Sequence, residues 1–274
     1  MKVCLLVGSV TLHNSSFARS FDDSTHKKLY GNEASVSRSM VVFKEANVEV
    51  PEIFAGNGVQ FMSYVEKFSV LRKDYLLRTY QRSKKYFPKA IAILKKHQIP
   101  PEFAVLLALE SGFNGNAVST AGAVGYWQIM DEVAKEYGLK IAQREMLSPK
   151  LVKKNAATSP KSNSKLQLDE RKNFMKSTVA AARYLSDRHR NLKGDWLLIT
   201  ASYNCGVGNV WDAMERSGKT NPSFWDIKNF LPAETRAYVM NFIALNVIFK
   251  NYKKFAANEL CFKEIIIKKE LLED

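Results

Sequence analysis

The chain reads as a mainly α-helical protein, and three observations carry that reading. From Pro51 onward, apolar residues recur at spacings of three and four, the period of one helix face. Gly, Pro, Asp and Ser fall where such runs begin and end. Strict alternation of apolar and polar residues is scarce, apart from short hairpin pieces near Ala123 to Ile129.

Taken in order, residues 1–18 and 19–50 precede the helical pattern, the second stretch being a polar, loosely ordered lead-in. Val59, Met62, Val65 and Phe68 define one face of a first helix. Leu71, Tyr75, Leu76 and Tyr80 continue it through a second, and Ala90 to Leu94 suggest a third, so residues 51–99 form a helical N-terminal extension. Pro100 ends that pattern, and Pro101 suits the first turn of a new helix, where its missing N–H costs nothing. This helix runs to Ser111 and stops at Gly112. Asp131 is placed to cap a helix closing at Gly138. Residues 153–167 are polar and low in complexity, an exposed loop. Ser177 is placed to cap a helix carrying Ala181, Tyr184, Leu185 and Leu192, and Asp195 to cap one that stops at Gly206. Asn209 opens a short helix ending near Gly218, and Pro232 precedes a long one that is apolar on one side. Residues 100–250 therefore form the main domain, and residues 251–274 a C-terminal tail.

Composition narrows the partners without choosing one. Among 274 residues, 41 Lys and Arg stand against 27 Asp and Glu, a formal charge of +14. That excess suits nucleic acid, an acidic membrane surface or an acidic polymer such as bacterial cell wall, or it solvates exposed helices. No nucleic-acid reading motif accompanies it. The GVG at 206–208 is followed by Trp211 where a dinucleotide fingerprint needs its third glycine. No apolar run is long enough to span a membrane. Lys2, the apolar run Val3–Leu12 and the small residues Ser16 and Ala18 fit a short secretory signal over residues 1–18, or else a buried first strand. Cys4 lies too early to anchor a lipid. Removal of that signal leaves Cys205 and Cys261, whose pairing their spacing leaves open. The four histidines form no ligand-spaced cluster, so neither a metal nor a cofactor is expected.

Chemistry concentrates in LLALESGFNGNAVSTAGAVGYWQIM, residues 106–130. Glu110 sits among Leu106, Leu107, Leu109 and Phe113. A wall of that kind disfavours the ionised carboxylate and suits a general acid, although periodicity alone equally allows a helix-end glutamate facing water. A two-carboxylate glycosidase needs a partner, and the nearest candidates beyond Asp131 are Asp169 and Glu170, which also fit a surface cap with Arg171.

The segments ESGFN, GAVGYWQIM, LDER, STVAAARYL, ASYNCGVGNV and LPAETRAYV follow one another in that order. In this order they resemble the catalytic domain of lytic transglycosylases, most closely the membrane-bound lytic murein transglycosylase D type, over about residues 51–250. The resemblance implies a goose-lysozyme-like helical fold that cleaves the β-1,4 bond between N-acetylmuramic acid and N-acetylglucosamine without water. It implies Glu110 as the catalytic acid and base, with Ser119, Gln128, Met130, Tyr203, Asn204 and Tyr238 at the sugar subsites. Tyr203 is in a position to bond the glutamate or stabilise charge on the sugar, with Asn204 orienting either. Gln128, Met130 and Tyr238 equally suit loop or core roles. The implied partner is the peptidoglycan glycan strand, met as a monomer in the periplasm or cell envelope, with no nucleic acid; a peripheral place at a membrane surface stays open. The chain departs from the family in ending at CFKEIIIKKELLED without wall-binding repeats, in a longer loop at 153–167 and in Cys205, where alanine is usual. A water-using hydrolase of the same fold and a non-catalytic wall-binding protein are the alternatives.

Overall fold

A computed structural model describes residues 39–141 and 169–270 of the chain. The signal reading at 1–18, most of the lead-in and the polar loop at 153–167 lie outside the described residues. The structure is mainly helical, as the sequence predicts. Its helices are α1 (Gly58–Leu71), α2 (Lys73–Lys96), α3 (Leu106–Ser111), α4 (Asp131–Glu136) and α5 (Phe174–Asn191), then α6 (Trp196–Cys205), α7 (Val207–Arg216), α8 (Phe224–Ile227), α9 (Ala233–Lys250) and α10 (Tyr252–Ala256).

Helix α9 is the axis of the core. From Tyr238 to Ile248 its residues are buried apart from Asn241, so it is apolar nearly all round and not on one side only. Such a helix is stable only when neighbours cover every face, and α1, α2, α3, α6 and α10 all pack on it. Helix α6 is its counterpart, with every residue after Trp196 buried. Phe242 on α9 meets Phe54 edge-on at 5.8 Å and Phe103 at 5.2 Å. One aromatic cluster therefore joins the extension before Pro100 to the segment after it, and Tyr64 on α1 adds a 2.7 Å bond to Asn241 on α9.

The local signals set most helix ends. Asp195 accepts from the Leu197 and Leu198 amides, both at 2.9 Å, the N-cap geometry its position predicts. Helix α5 starts earlier than expected: Asn173 is the cap, accepting from Lys176 N, and Ser177 lies inside the helix. Asp131 likewise sits inside α4, after Met130. The second and third helices of the extension are one helix, α2, which carries Pro88 on its exposed side. The face of α1 is shifted slightly: Val65 is buried and Met62 and Phe68 are half-buried as expected, but Val59 is 96% exposed, and Phe61 and Ser69 join the buried side.

Two strands were not foreseen. β1 (Ser39–Lys44) pairs antiparallel with β2 (Ile265–Glu270), in the register Ser39 to Glu270 and Lys44 to Ile265. Asn47 extends the join, its amide donating to Cys261 O and its side-chain oxygen accepting from Cys261 N, both at 2.9 Å. The lead-in and tail thus brace each other. Cys205 and Cys261 are not joined by a disulfide; the Cys261 thiol lies 3.0 Å from the Lys263 carbonyl oxygen. No helix among the described residues is long and apolar enough to cross a membrane.

Candidate active site

Helix α3 presents Glu110 from a single buried turn and a half. It follows a tight 3-10 turn at Pro101–Val105 and ends at Gly112, whose φ of +56° is left-handed. There the Gly112 amide donates to Ala108 O and the Phe113 amide to Leu107 O, both at 3.1 Å, closing the helix as a glycine cap does. Leu106, Leu107 and Ala108 are buried with Glu110. Tyr238, from α9, donates its hydroxyl to Glu110 Oε1, while Oε2 is buried with no hydrogen-bond partner among the described residues. Burial pushes the carboxyl up to about 8, and the Tyr238 bond pulls only weakly against it.

Tyr203, from α6, is buried beside this pair but donates to Trp127 O at 2.8 Å. The hydroxyl that reaches the glutamate is therefore Tyr238's. Burial, and then the nearby Glu110 charge, hold both tyrosines well above their ordinary range, so both serve as donors. Asn204 accepts from Thr235 Oγ1 at 2.8 Å, which ties the end of α6 to the start of the helix that carries Tyr238. Tyr203 and Asn204 hold the walls of the site.

The chain after Gly112 folds into a knot of short bonds. Ser119 closes a turn: its amide donates to Ala123 O and its hydroxyl accepts from Ala123 N, both at 2.9 Å. In place of a continuous hairpin, Val124 bridges both Val118 and Ile129. Gln128 is buried, with φ +48°, and its amide donates to Gly125 O at 2.9 Å and Ala117 O at 3.2 Å. That amide is committed to its own loop. Met130 is half-buried against the core. Trp127 is fully buried, and its indole N–H donates to Thr178 on α5 at 2.9 Å. A small pocket opens here, lined by Gln128, Ile129, Val133, Ala180, Tyr184 and Tyr203 among others.

Two residues have larger parts here than their sequence positions suggested. Tyr184 stands edge-on to Tyr203 at 5.6 Å, its hydroxyl pushed up to about 12 by burial; periodicity marked it only as one more apolar position on α5. Arg171 is buried, not a surface partner. Its guanidinium bonds Asp169 three times (3.0, 3.3 and 2.7 Å), the Ile129 carbonyl at 3.2 Å, and Asp131. Burial pushes the Asp169 carboxyl up, but the bonds from Arg171 outweigh it and hold it below the usual range. Glu170 accepts from Lys140 N at 2.8 Å and pairs with Lys176, which also holds it low. Both carboxylates are ionised and occupied.

The family model described as Transglycosylase SLT domain matches residues 89–225, half of the chain. The chain belongs to the transglycosylase SLT-domain family. The match takes in Glu110, Ser119, Gln128, Met130, Tyr203 and Asn204 and ends before Tyr238. This SLT-domain chain is 31% identical over 185 residues to membrane-bound lytic murein transglycosylase D of Escherichia coli strain K12, covering 67% of the chain and 35% of the relative. It is 28% identical over 148 residues to a putative tributyltin chloride resistance protein of Alteromonas sp. strain M-1, covering 54% of the chain and 60% of that protein. The chain thus spans about a third of the length of the first relative. Among solved structures, the lytic transglycosylase Slt of Pseudomonas aeruginosa superposes with a TM-score of 0.45 at 20% identity, over 61% of the chain and 24% of that one. The 70 kDa soluble lytic transglycosylase of Escherichia coli gives a TM-score of 0.43 at 17% identity, over 77% of the chain and 38% of that one.

Proposed function

We propose that this SLT-domain chain is a peptidoglycan lytic transglycosylase that works at the cell envelope, with residues 100–250 as its catalytic unit and residues 51–99 bracing it. The observation that carries the proposal is Glu110: a buried carboxyl raised to about 8, with one oxygen held and the other without a partner among the described residues. Tyr238 donates to Oε1, so the acid proton belongs on Oε2, the oxygen left for substrate. In the first step that proton passes to the glycosidic oxygen as the muramyl C1–O bond breaks, releasing the 4-hydroxyl of N-acetylglucosamine. In the second, the Glu110 carboxylate removes the proton of the muramyl 6-hydroxyl as that oxygen bonds to C1, giving a 1,6-anhydro product. The glutamate ends protonated, as it began, and no water enters.

This scheme needs one carboxylate, and the second candidates are spoken for: Asp169 by Arg171, Glu170 by Lys140 and Lys176. On the same reading, Tyr184, Tyr203 and Gln128 shape the pocket next to the reacting sugar, and Ser119 and Asn204 hold that shape. Mass spectrometry of the soluble products from purified peptidoglycan tests the proposal. Products one water lighter than ordinary muropeptides are expected; ordinary reducing ends would make the chain a hydrolase and overturn it.

Tyr238 supplies a separate test. Its bond favours the carboxylate, so Tyr238→Phe lifts the Glu110 pKa and moves the alkaline limb of the kcat profile to higher pH. It also removes the donor that steadies the transient carboxylate, lowering kcat roughly a hundredfold, at the modest end for a lost stabilising donor. A reduced kcat with an unmoved alkaline limb would make Tyr238 merely structural.

A further inference from the structure

Helix α2 carries a row of cations that no carboxylate pairs with among the described residues, although Lys84 and Lys85 lie over the Tyr80 and Tyr86 rings. Arg78, Arg82, Lys85, Lys89 and Lys96 follow one another at spacings of four, three, four and seven, and all are exposed. That spacing keeps them on one face, opposite the buried Leu76, Thr79, Ser83, Ala90, Ile93 and Leu94. Lys84 and Lys95 widen the stripe, and Asp74 in the first turn is the only carboxylate of the helix. Among the described residues none of these seven cations is in an ion pair. With 24 residues the helix is about 36 Å long, so the stripe crosses much of one side of the molecule.

A second observation lies at the head of that stripe. Val70 and Leu71 close α1 immediately before α2, and they are 73% and 80% exposed. Arg72 and Lys73 follow directly. An apolar pair at a corner, continued by a basic face that makes no ion pair among the described residues, is the arrangement of an element lying in a membrane interface: side chains enter the acyl boundary and cations meet anionic headgroups. A hydrophilic polyanion would satisfy the cations and leave Val70 and Leu71 without a use.

We propose that the α1–α2 corner and the outer face of α2 dock the protein onto an anionic lipid bilayer. The stripe also touches the catalytic helix, since Arg82 donates to Gly112 O at 3.3 Å, two residues after Glu110. Docking through this face fixes the height and tilt of the helix that carries Glu110 above the bilayer. The surface acts whatever reaction the cleft performs, and its test does not require activity.

The experiment is co-sedimentation of the full chain with phosphatidylcholine vesicles, with and without phosphatidylglycerol, at about 0.1 M salt, where charges within roughly 10 Å still interact. Wild type is expected to sediment only with the anionic vesicles. The triple variant Arg78→Gln, Lys85→Gln and Lys89→Gln should partition about a hundredfold less, near fivefold for each cation removed. Leu71→Ser should lose binding severalfold with its charge unchanged. Single Lys89→Glu keeps the test open if the triple variant melts early. Equal binding by wild type and the charge variants overturns the proposal, as does an unaffected Leu71→Ser. Binding by wild type to purified sacculi but not to anionic vesicles would assign the stripe to the wall polymer and overturn it too.

Discussion

Glu110→Gln is expected to lose wall-cleaving activity by about 10²- to 10⁴-fold, the range for a general acid and base, while gaining stability as pH rises above about 5. The amide neither gives up a proton to the leaving oxygen nor takes one from the 6-hydroxyl. Its effect on folding follows from the same burial. In the native state the carboxyl is raised from 4.5 to about 8. Below about 4.5 folded and unfolded chains both hold the proton, and the group contributes no pH dependence. Between the two values only the folded chain holds it, so native stability falls as pH rises, and above about 8 the full cost is reached. At about 1.36 kcal/mol for each pH unit separating the two values, that cost is on the order of 5 kcal/mol. Glutamine is neutral throughout and removes the slope. Urea unfolding of both proteins at pH 5 and pH 9 checks this: the variant's advantage should be small at the lower pH and several kcal/mol at the higher. Parallel pH dependences would mean that the native glutamate is already ionised, and the acid role would fall with it. Full activity in the variant would place the chemistry on another residue.

The same residue illustrates what a sequence discloses. Glu110 was legible because its surroundings are local: Leu106, Leu107 and Phe113 lie within one turn on either side. The Asp195 cap, the stop at Gly206 and the start of α9 at Pro232 were legible for the same reason, each being set by bonds within a few residues. Tyr238 is another matter. Its bond to Glu110 spans 128 positions, and nothing in ETRAYV separates a tyrosine that reaches a carboxylate from one that fills a core. The β1–β2 pair joins the two ends of the described chain, beyond any periodicity. Arg171 was misplaced because a charged residue near a cap is usually solvated; here Asp169, Asp131 and the Ile129 carbonyl together replace its water. Gln128 suited either a sugar subsite or its own loop, and only the fold shows its amide donating to Gly125 and Ala117.

That loop gives the largest expected loss of stability. Gly125 and Gly122 have nearly equal left-handed φ values, +87° and +89°, so alanine meets the same backbone cost at each, about 1–2 kcal/mol. Their surroundings differ. A Cβ at Gly122 meets nothing within 4 Å, whereas one at Gly125 falls 2.1 Å from the Arg171 carbonyl oxygen. That oxygen is backbone, and its residue is pinned by the Asp169 and Asp131 pairs, so it cannot swing aside as a flexible side chain would. Relief requires the whole 124–130 stretch to move off Arg171, which strips the guanidinium of the Ile129 carbonyl and shifts the carbonyl that holds Gln128. Breaking a buried charged cluster in this way costs about 3–5 kcal/mol. Gly125→Ala should therefore unfold at markedly lower urea than Gly122→Ala, with activity lost even where the variant stays folded, because Gln128 and Ile129 line the pocket beside Tyr203. Equal losses for the two alanines would show that the loop stands off Arg171 and that the pocket's shape does not depend on their contact.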